Sequence, residues 1–132
     1  MDKSAPIADY MTPMPHTVGS EQTITFAQRL MQKYDIRHLP VLHGGGLHGI
    51  VSDRDLGIVA GLNEVNPDDT TVEEAMTQEA YTVSRDTPLF DVLEEMLEHK
   101  YGSAVVVEGV KIIGIFTTHD ALKLLVEHFQ AA

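Results

Sequence analysis

Shifted by sixty-five positions, the sequence aligns with itself without a gap, residues 9–61 against 74–126. Identities fall at Met11/Met76, Thr12/Thr77, Thr17/Thr82, Val18/Val83, Met31/Met96, Val41/Val106, Gly44/Gly109, Gly49/Gly114, Ile50/Ile115 and Asp55/Asp120. Similar residues fall at Glu21/Asp86, Ile24/Leu89, Leu47/Ile112, Ser52/Thr117 and Arg54/His119. Chance gives about one identity in sixteen to twenty, so matches clustered at corresponding landmarks mark an internal duplication. The period is too long for a small solenoid unit. Within 132 residues it implies two copies of one α/β subdomain, each small to stand alone and therefore sharing an interface.

Both halves carry the same local grammar. A Met-Thr pair precedes a short β-prone stretch at Thr17 and Val18, or at 81–83. Apolar residues then recur at helical spacing: Ile24, Ala27, Leu30, Met31 and Tyr34 in one half, Leu89, Val92, Leu93 and Met96 in the other. Pro88 suits a first helical turn, with Asp86 or Thr87 as its cap. Two strands follow at about 38–42 and 47–51, joined by a turn at 44–46, and again at about 104–107 and 112–116, joined around Gly109. A last helix begins near Asp53 and near Thr118. Residues 61–69 read as a surface linker rich in turn formers. Thr71 and Glu74 have the spacing of a capping box that opens a short helix. The expected division is a first repeat at 8–61, a linker at 62–70 and a second repeat at 71–126.

Charge and composition narrow the function. Twenty Asp and Glu against nine Lys and Arg give a formal net charge of -11, which argues against DNA or RNA as a partner, because polyanion binding draws on clustered cations. Apolar runs are a few residues long, far short of the ~20 that span a bilayer. Asp2, Lys3, Pro6, Asp9, Pro13 and Pro15 break the apolar stretch a secretory signal needs, so the expected location is the cytoplasm. Cysteine is absent, which excludes a disulfide scaffold.

The chemistry-bearing pattern is repeated too. Gly49, Ile50, Val51, Ser52, Asp53, Arg54 and Asp55 correspond to Gly114, Ile115, Phe116, Thr117, Thr118, His119 and Asp120: glycine, two apolar residues, a hydroxyl, any residue, a basic residue and Asp. Where a strand gives way to a helix, such a run gathers free N–H groups, a hydroxyl, a cation and a carboxylate. The carboxylate suits the two neighbouring hydroxyls of a ribose, and Arg54 or His119 could neutralise a phosphate. Ser52 with Asp55, and Thr117 with Asp120, equally fit a helix cap that needs no ligand. A capping box prefers Glu or Gln where both repeats have the shorter Asp.

The duplicated arrangement resembles a tandem pair of cystathionine-β-synthase (CBS) domains, a Bateman module. The likeness rests on Met-Thr before the first strand, on Ile36, Arg37, His38, Leu39, Pro40 and Val41 entering the second, and on the run from Gly49 to Leu56. In the second copy it rests on the stretch from Tyr101 to Val107 and on that from Gly114 to Asp120. The resemblance implies an α/β (α+β) fold of two β-α-β-β-α repeats about a pseudo-two-fold axis. It further implies a homodimer with helices at the interface, and no catalysis. It also implies a regulatory module that binds AMP, ADP, ATP or S-adenosylmethionine in two clefts between the repeats and signals to a partner protein. The ribose would be held by Asp55 with Ser52 and by Asp120 with Thr117. Adenine would lie on Ile50 with Thr82 and Val83 in one cleft, and on Ile115 with Thr17 and Val18 in the other. Phosphates would meet Arg37, His38, Arg54 and His119. Gly102 and Ser103 replace Arg37 and His38 in the second repeat, which implies weaker phosphate binding or a less charged ligand there.

Three rival readings are a ligand-free structural or dimerisation unit, with Asp55 and Asp120 as caps only, a metal-binding stress protein using His43 and His48, two imidazoles across a hairpin, and, ranked last, an enzyme. His16, His99 and His128 read as solvated, and Met11, Met14, Met31, Met76 and Met96 as adaptable core packing. No P-loop, dinucleotide or nucleophile-elbow motif is present. No catalytic cofactor or metal ligand set is expected.

Overall fold

The computed structural model describes residues 2–131. In chain order the strands and helices are β1 (Thr12–Pro13), β2 (Val18–Gly19), α1 (Ile24–Tyr34), β3 (His38–His43), β4 (Gly46–Ser52), α2 (Asp53–Ala60), β5 (Thr82–Val83), α3 (Leu89–His99), β6 (Ser103–Glu108), β7 (Lys111–Thr117) and α4 (Thr118–Ala131). The expected β-α-β-β-α order thus occurs twice, as β2-α1-β3-β4-α2 and β5-α3-β6-β7-α4. The compact units cut the chain at other points than the sequence repeats. Residues 16–80 form a continuous unit, whereas the residues up to Pro15 join those from Tyr81 onward in a composite one.

In the continuous unit the sheet runs β2-β3-β4, with β2 parallel to β3 and β4 antiparallel to it. Ile24, Ala27 and Met31 line one face of α1 and meet Val18, Leu39, Val41, Val51, Leu56 and Val72 in the core. Thr23 caps α1 by accepting the Phe26 N–H at 3.1 Å. The hairpin turn is tighter than expected. Only Gly44 and Gly45 form it, both at positive φ (59° and 85°), while Gly46 already pairs with His43. That is the primed two-residue turn whose twist matches the strands.

The linker is on the surface but not loose. Pro67 and Thr70 carbonyls accept the Thr25 and Ile24 N–H groups at 3.2 and 2.9 Å, and the Thr25 hydroxyl donates to Asp68. The capping box expected at Thr71 does not form. Val72–Glu74 is a single 3-10 turn, and the Thr71 side chain caps nothing. The donors it would cap are already taken, Glu73 N–H by the Ser20 carbonyl and Glu74 N–H by the Thr71 carbonyl, while Val72 N–H bonds the Gln22 carbonyl.

In the composite unit the sheet runs β1-β7-β6-β5. Ile7, Val83, Leu89, Val92, Met96, Ala104, Val106 and Phe116 make its core. Pro88 precedes α3 instead of opening it, and neither Asp86 nor Thr87 caps the helix. The Leu89 N–H is accepted by the Ala5 carbonyl at 2.7 Å, and the Thr87 hydroxyl accepts from Ser84 N–H. Met14, expected in a core, is 85% exposed, whereas Met31 and Met96 are buried as expected.

Each Met-Thr pair packs on the strand of the other repeat. Thr77 forms an antiparallel bridge with Ile50 in the continuous unit, and Thr12 pairs with Ile115 in the composite one. Gly49 and Gly114 lie beneath these segments, with no room for a Cβ: it would strike the Thr77 carbonyl and the Met76 sulfur in one case, and the Met11 side chain in the other. The repeated methionines and glycines are therefore two halves of one contact.

Candidate ligand site at the strand-to-helix junctions

The antiparallel registers bring the expected residues together. In the continuous unit His38 faces Ser52 across β3 and β4, and one step beyond, the Asp53 N–H donates to the Arg37 carbonyl at 2.9 Å. Arg37, His38, Ser52, Arg54 and Asp55 thus meet at one end of the sheet, where α2 begins. In the composite unit Ser103 faces Thr117, and the Thr118 N–H donates to the Gly102 carbonyl at 3.1 Å. Thr117, His119 and Asp120 stand there in the same way.

Both carboxylates act as caps. Asp55 Oδ2 accepts the Ser52 N–H at 3.0 Å while the Ser52 hydroxyl accepts the Asp55 N–H at 3.1 Å. Asp120 Oδ2 accepts the Thr117 N–H at 2.9 Å and the Thr117 hydroxyl at 3.1 Å, and that hydroxyl accepts the Asp120 N–H at 3.3 Å. In both, Oδ2 is the capping oxygen and Oδ1 has no hydrogen-bond partner among the described residues. The side chains are half-buried. Cap and acceptor are compatible, since a carboxylate has two oxygens. The hydroxyls differ: Ser52 has no acceptor among the described residues, whereas Thr117 gives its proton to Asp120.

The cations differ too. Arg54 and His119 are exposed and make no ion pair among the described residues. Arg37 is paired: its Nη1 lies 2.7 Å from Asp53 Oδ2. Asp53 is the site-lining residue the motif reading passed over; extending the β3–β4 register one step beyond His38 and Ser52 identifies it.

The remaining expected contacts lie elsewhere in each unit. The Ile50 main chain is spent on Thr77, which it meets with two hydrogen bonds of 2.9 and 3.0 Å, so only its half-buried side chain is open to a ligand. Val18, Val83 and Ile115 are buried, whereas Thr17 is half-buried and Thr82 exposed. Immediately before these threonines stand aromatic stacks the sequence reading did not find. His16 lies on Tyr34 with centroids 3.7 Å apart, and Tyr81 on Tyr101 at 5.0 Å, with His99 on the same Tyr101 ring at 5.2 Å. His16 and His99 are thus ring partners instead of merely solvated groups. Burial first, then the Glu95 and Asp91 carboxylates and Tyr101, raises the Tyr81 phenol above its ordinary pKa.

The hairpin imidazoles are otherwise engaged. His43 and His48 rings are 5.1 Å apart, His43 Nδ1 bonds the Ser20 hydroxyl at 2.9 Å, and His48 Nε2 meets Glu73 at 3.1 Å. Ser20 beside an imidazole has the look of a nucleophile and its base. The hydroxyl is buried, however, and the nearby acid, Glu21, reaches Ser20 and not the imidazole. Among the described residues the one cluster of three or more His, Asp or Glu side chains close enough to share a metal is Glu95, Glu98 and His99, all exposed on α3. None of the described helices is long and apolar enough to cross a membrane.

Known proteins share this arrangement. Hypoxic response protein 1 of Mycobacterium tuberculosis is 32% identical over 115 residues, covering 84% of this chain and 78% of its own. A solved Hypoxic Response Protein I with two coordinated zinc ions superposes with a TM-score of 0.78 at 27% identity, over 90% of this chain and 98% of that one. A CBS domain pair in complex with 5′-methylthioadenosine and S-adenosyl-L-methionine gives 0.84 at 27% identity, over 94% and 98% of the two chains. CBSX2 in complex with AMP gives 0.79 at 26%, over 92% and 97%. The CBS domain family model matches residues 7–56 and again 65–127. With two such matches filling most of its length and a fold shared with solved domain pairs, this chain belongs to the CBS domain family.

Proposed function

We propose that the protein is a cytoplasmic regulatory module that binds an adenosine ligand at each strand-to-helix junction and signals its level to a partner protein, without catalysing a reaction. The observation that carries this reading is the spare Oδ1 on Asp55 and again on Asp120, each held beside a helix N-terminus by its own cap. A carboxylate fixed through one oxygen presents the other to the paired hydroxyls of a ribose at little entropic cost. Ser52 and Thr117 assist, Ile50 and Ile115 offer apolar surface to the adenine in their own units, and Arg54, His119, Arg37 and His38 face the tail. Solved relatives carrying methylthioadenosine, S-adenosylmethionine or AMP support the ligand class. A ligand favouring one arrangement of the protein shifts its population, which is what a partner would read. Calorimetry with adenosine, methylthioadenosine, S-adenosylmethionine and AMP is expected to show binding at or below near-millimolar concentration; no heat with any of them refutes the reading.

The same reading includes a homodimer. Leu122, Leu125, Val126 and Phe129 are exposed along one stripe of α4, while Ala121 and Leu124 beside them pack into the core. Spacings of three and four residues put the four side chains on one face, and an apolar stripe of this kind marks an interface. Leu125→Glu with Phe129→Glu is expected to weaken self-association about a hundredfold, giving a monomer in sedimentation at micromolar protein with an unchanged circular dichroism spectrum. A monomeric parent protein would sink the dimer.

A further inference from the structure

We infer that Asp53 is the charge selector of the ligand site on the continuous unit. By occupying Arg37 as an internal anion, it makes that site favour an adenosine ligand with a thioether or sulfonium tail over one with a polyphosphate. The inference rests on the adenosine reading above and adds the tail chemistry to it.

Two bonds tie these residues. Beyond the 2.7 Å contact between Arg37 Nη1 and Asp53 Oδ2, the Asp53 N–H donates to the Arg37 carbonyl at 2.9 Å. The main-chain bond does not depend on the ion pair: at the equivalent place Thr118 bonds Gly102 at 3.1 Å with no charge on either side chain. The two charges are therefore additional to what the fold needs. Nor do they hold the unit together, since the side chains are 74% and 45% exposed, and pairs so open to water add little to stability.

What the pair does change is the charge offered to a ligand. Arg37 and Asp53 stand at the edge of the junction and border a neighbouring depression of about 490 Å³, not lined by Ser52, Arg54 or Asp55, whose other charged groups are Arg29 and Asp35. Its two positive and two negative charges cancel, so Arg37 adds no net charge there, while Arg54 in the first turn of α2 has no ion pair among the described residues. A phosphate reaching for Arg37 must either displace the carboxylate on Nη1 or bond the remaining donors beside that negative charge. In a protein of net charge -11, no long-range field assists that exchange. An uncharged or cationic tail displaces nothing.

The test is equilibrium dialysis of the full chain against methylthioadenosine, S-adenosylmethionine and ATP, using the parent protein, Asp53→Asn, and Asp53→Asn combined with Arg37→Gln. All carry Asp120→Asn so that the continuous unit's site is read alone. The parent is expected to bind methylthioadenosine more tightly than ATP. Asp53→Asn should raise ATP affinity about tenfold relative to methylthioadenosine, as freeing one charge-assisted donor allows. The gain should vanish when Arg37 is also removed, and shrink with added salt. A parent that prefers ATP, or an Asp53→Asn protein whose affinities for ATP and methylthioadenosine move together, overturns the selector role alone. Absence of binding by all three ligands to all three proteins overturns the adenosine reading of the continuous unit's site with it.

Discussion

Gly49→Ala is expected to cost about 1–3 kcal/mol of stability, the usual toll of forcing an extra methyl into a filled site. In a chain of this length each kcal/mol lowers Tm by about 4 °C, which differential scanning calorimetry resolves. The added Cβ would meet the Thr77 carbonyl and lie 2.9 Å from the Met76 sulfur. Thr77 cannot easily yield, because its N–H and carbonyl are bonded to Ile50 at 2.9 and 3.0 Å. Retreat would strand two main-chain groups. Gly114→Ala supplies the internal comparison. There the Cβ meets only the Met11 side chain, an unbranched thioether that can rotate away. Its loss is expected to be under about 1 kcal/mol, partly offset because alanine sits better than glycine in a strand. Equal losses for the two variants, or a larger one for Gly114→Ala, would show that the obstacle is not the Thr77 main chain.

The second large effect is on binding. Asp55→Asn is expected to weaken an adenosine ligand about 10–100-fold in the continuous unit, the range for losing hydrogen bonds to a charged acceptor. The composite unit should be nearly untouched, so in calorimetry one of two binding events disappears. Asp120→Asn should remove the other. Stability should fall by less than about 1 kcal/mol, since the Ser52 hydroxyl still accepts the N–H of residue 55. Asp55→Glu separates cap from ligand site more sharply. Glutamate is the preferred residue at this position of a capping box, so the helix start should be as stable as before, while a carboxylate moved by one methylene no longer meets a ribose in place. A glutamate variant that binds as well as the parent would reduce Asp55 to a cap.

Elements whose reasons are local were readable in the sequence. Helices α1 and α3 follow from buried residues at Ile24, Ala27 and Met31 and at Leu89, Val92 and Met96, and the hairpins from their glycines. Helix ends were less so. Asp35 and Lys100 take the left-handed conformation that closes α1 and α3, at φ 51° and 59°, so no glycine announces either stop. Thr71 looked like a cap because its neighbours have the right spacing, but spacing is silent about carbonyls arriving from Ser20 and Gln22. The junction residues were legible because the duplication repeats them. Asp53 was not, since the alignment sets it against Thr118 and only the strand register places it opposite Arg37. Which strand receives each Met-Thr pair is equally nonlocal: Met76 and Thr77 are written in the second repeat and packed on the first.

That exchange of segments sets an order of assembly. Every core contact of the continuous unit lies within residues 16–80, so it can close its loops and condense while the rest of the chain is still being made. The composite unit cannot. Ile7 shares a core with Phe116, more than a hundred residues away along the chain, and contacts that distant form slowly. The segment up to Pro15, made before the continuous unit, is therefore placed after it, and until then β7 keeps an open edge where Thr12 and Pro13 will pair.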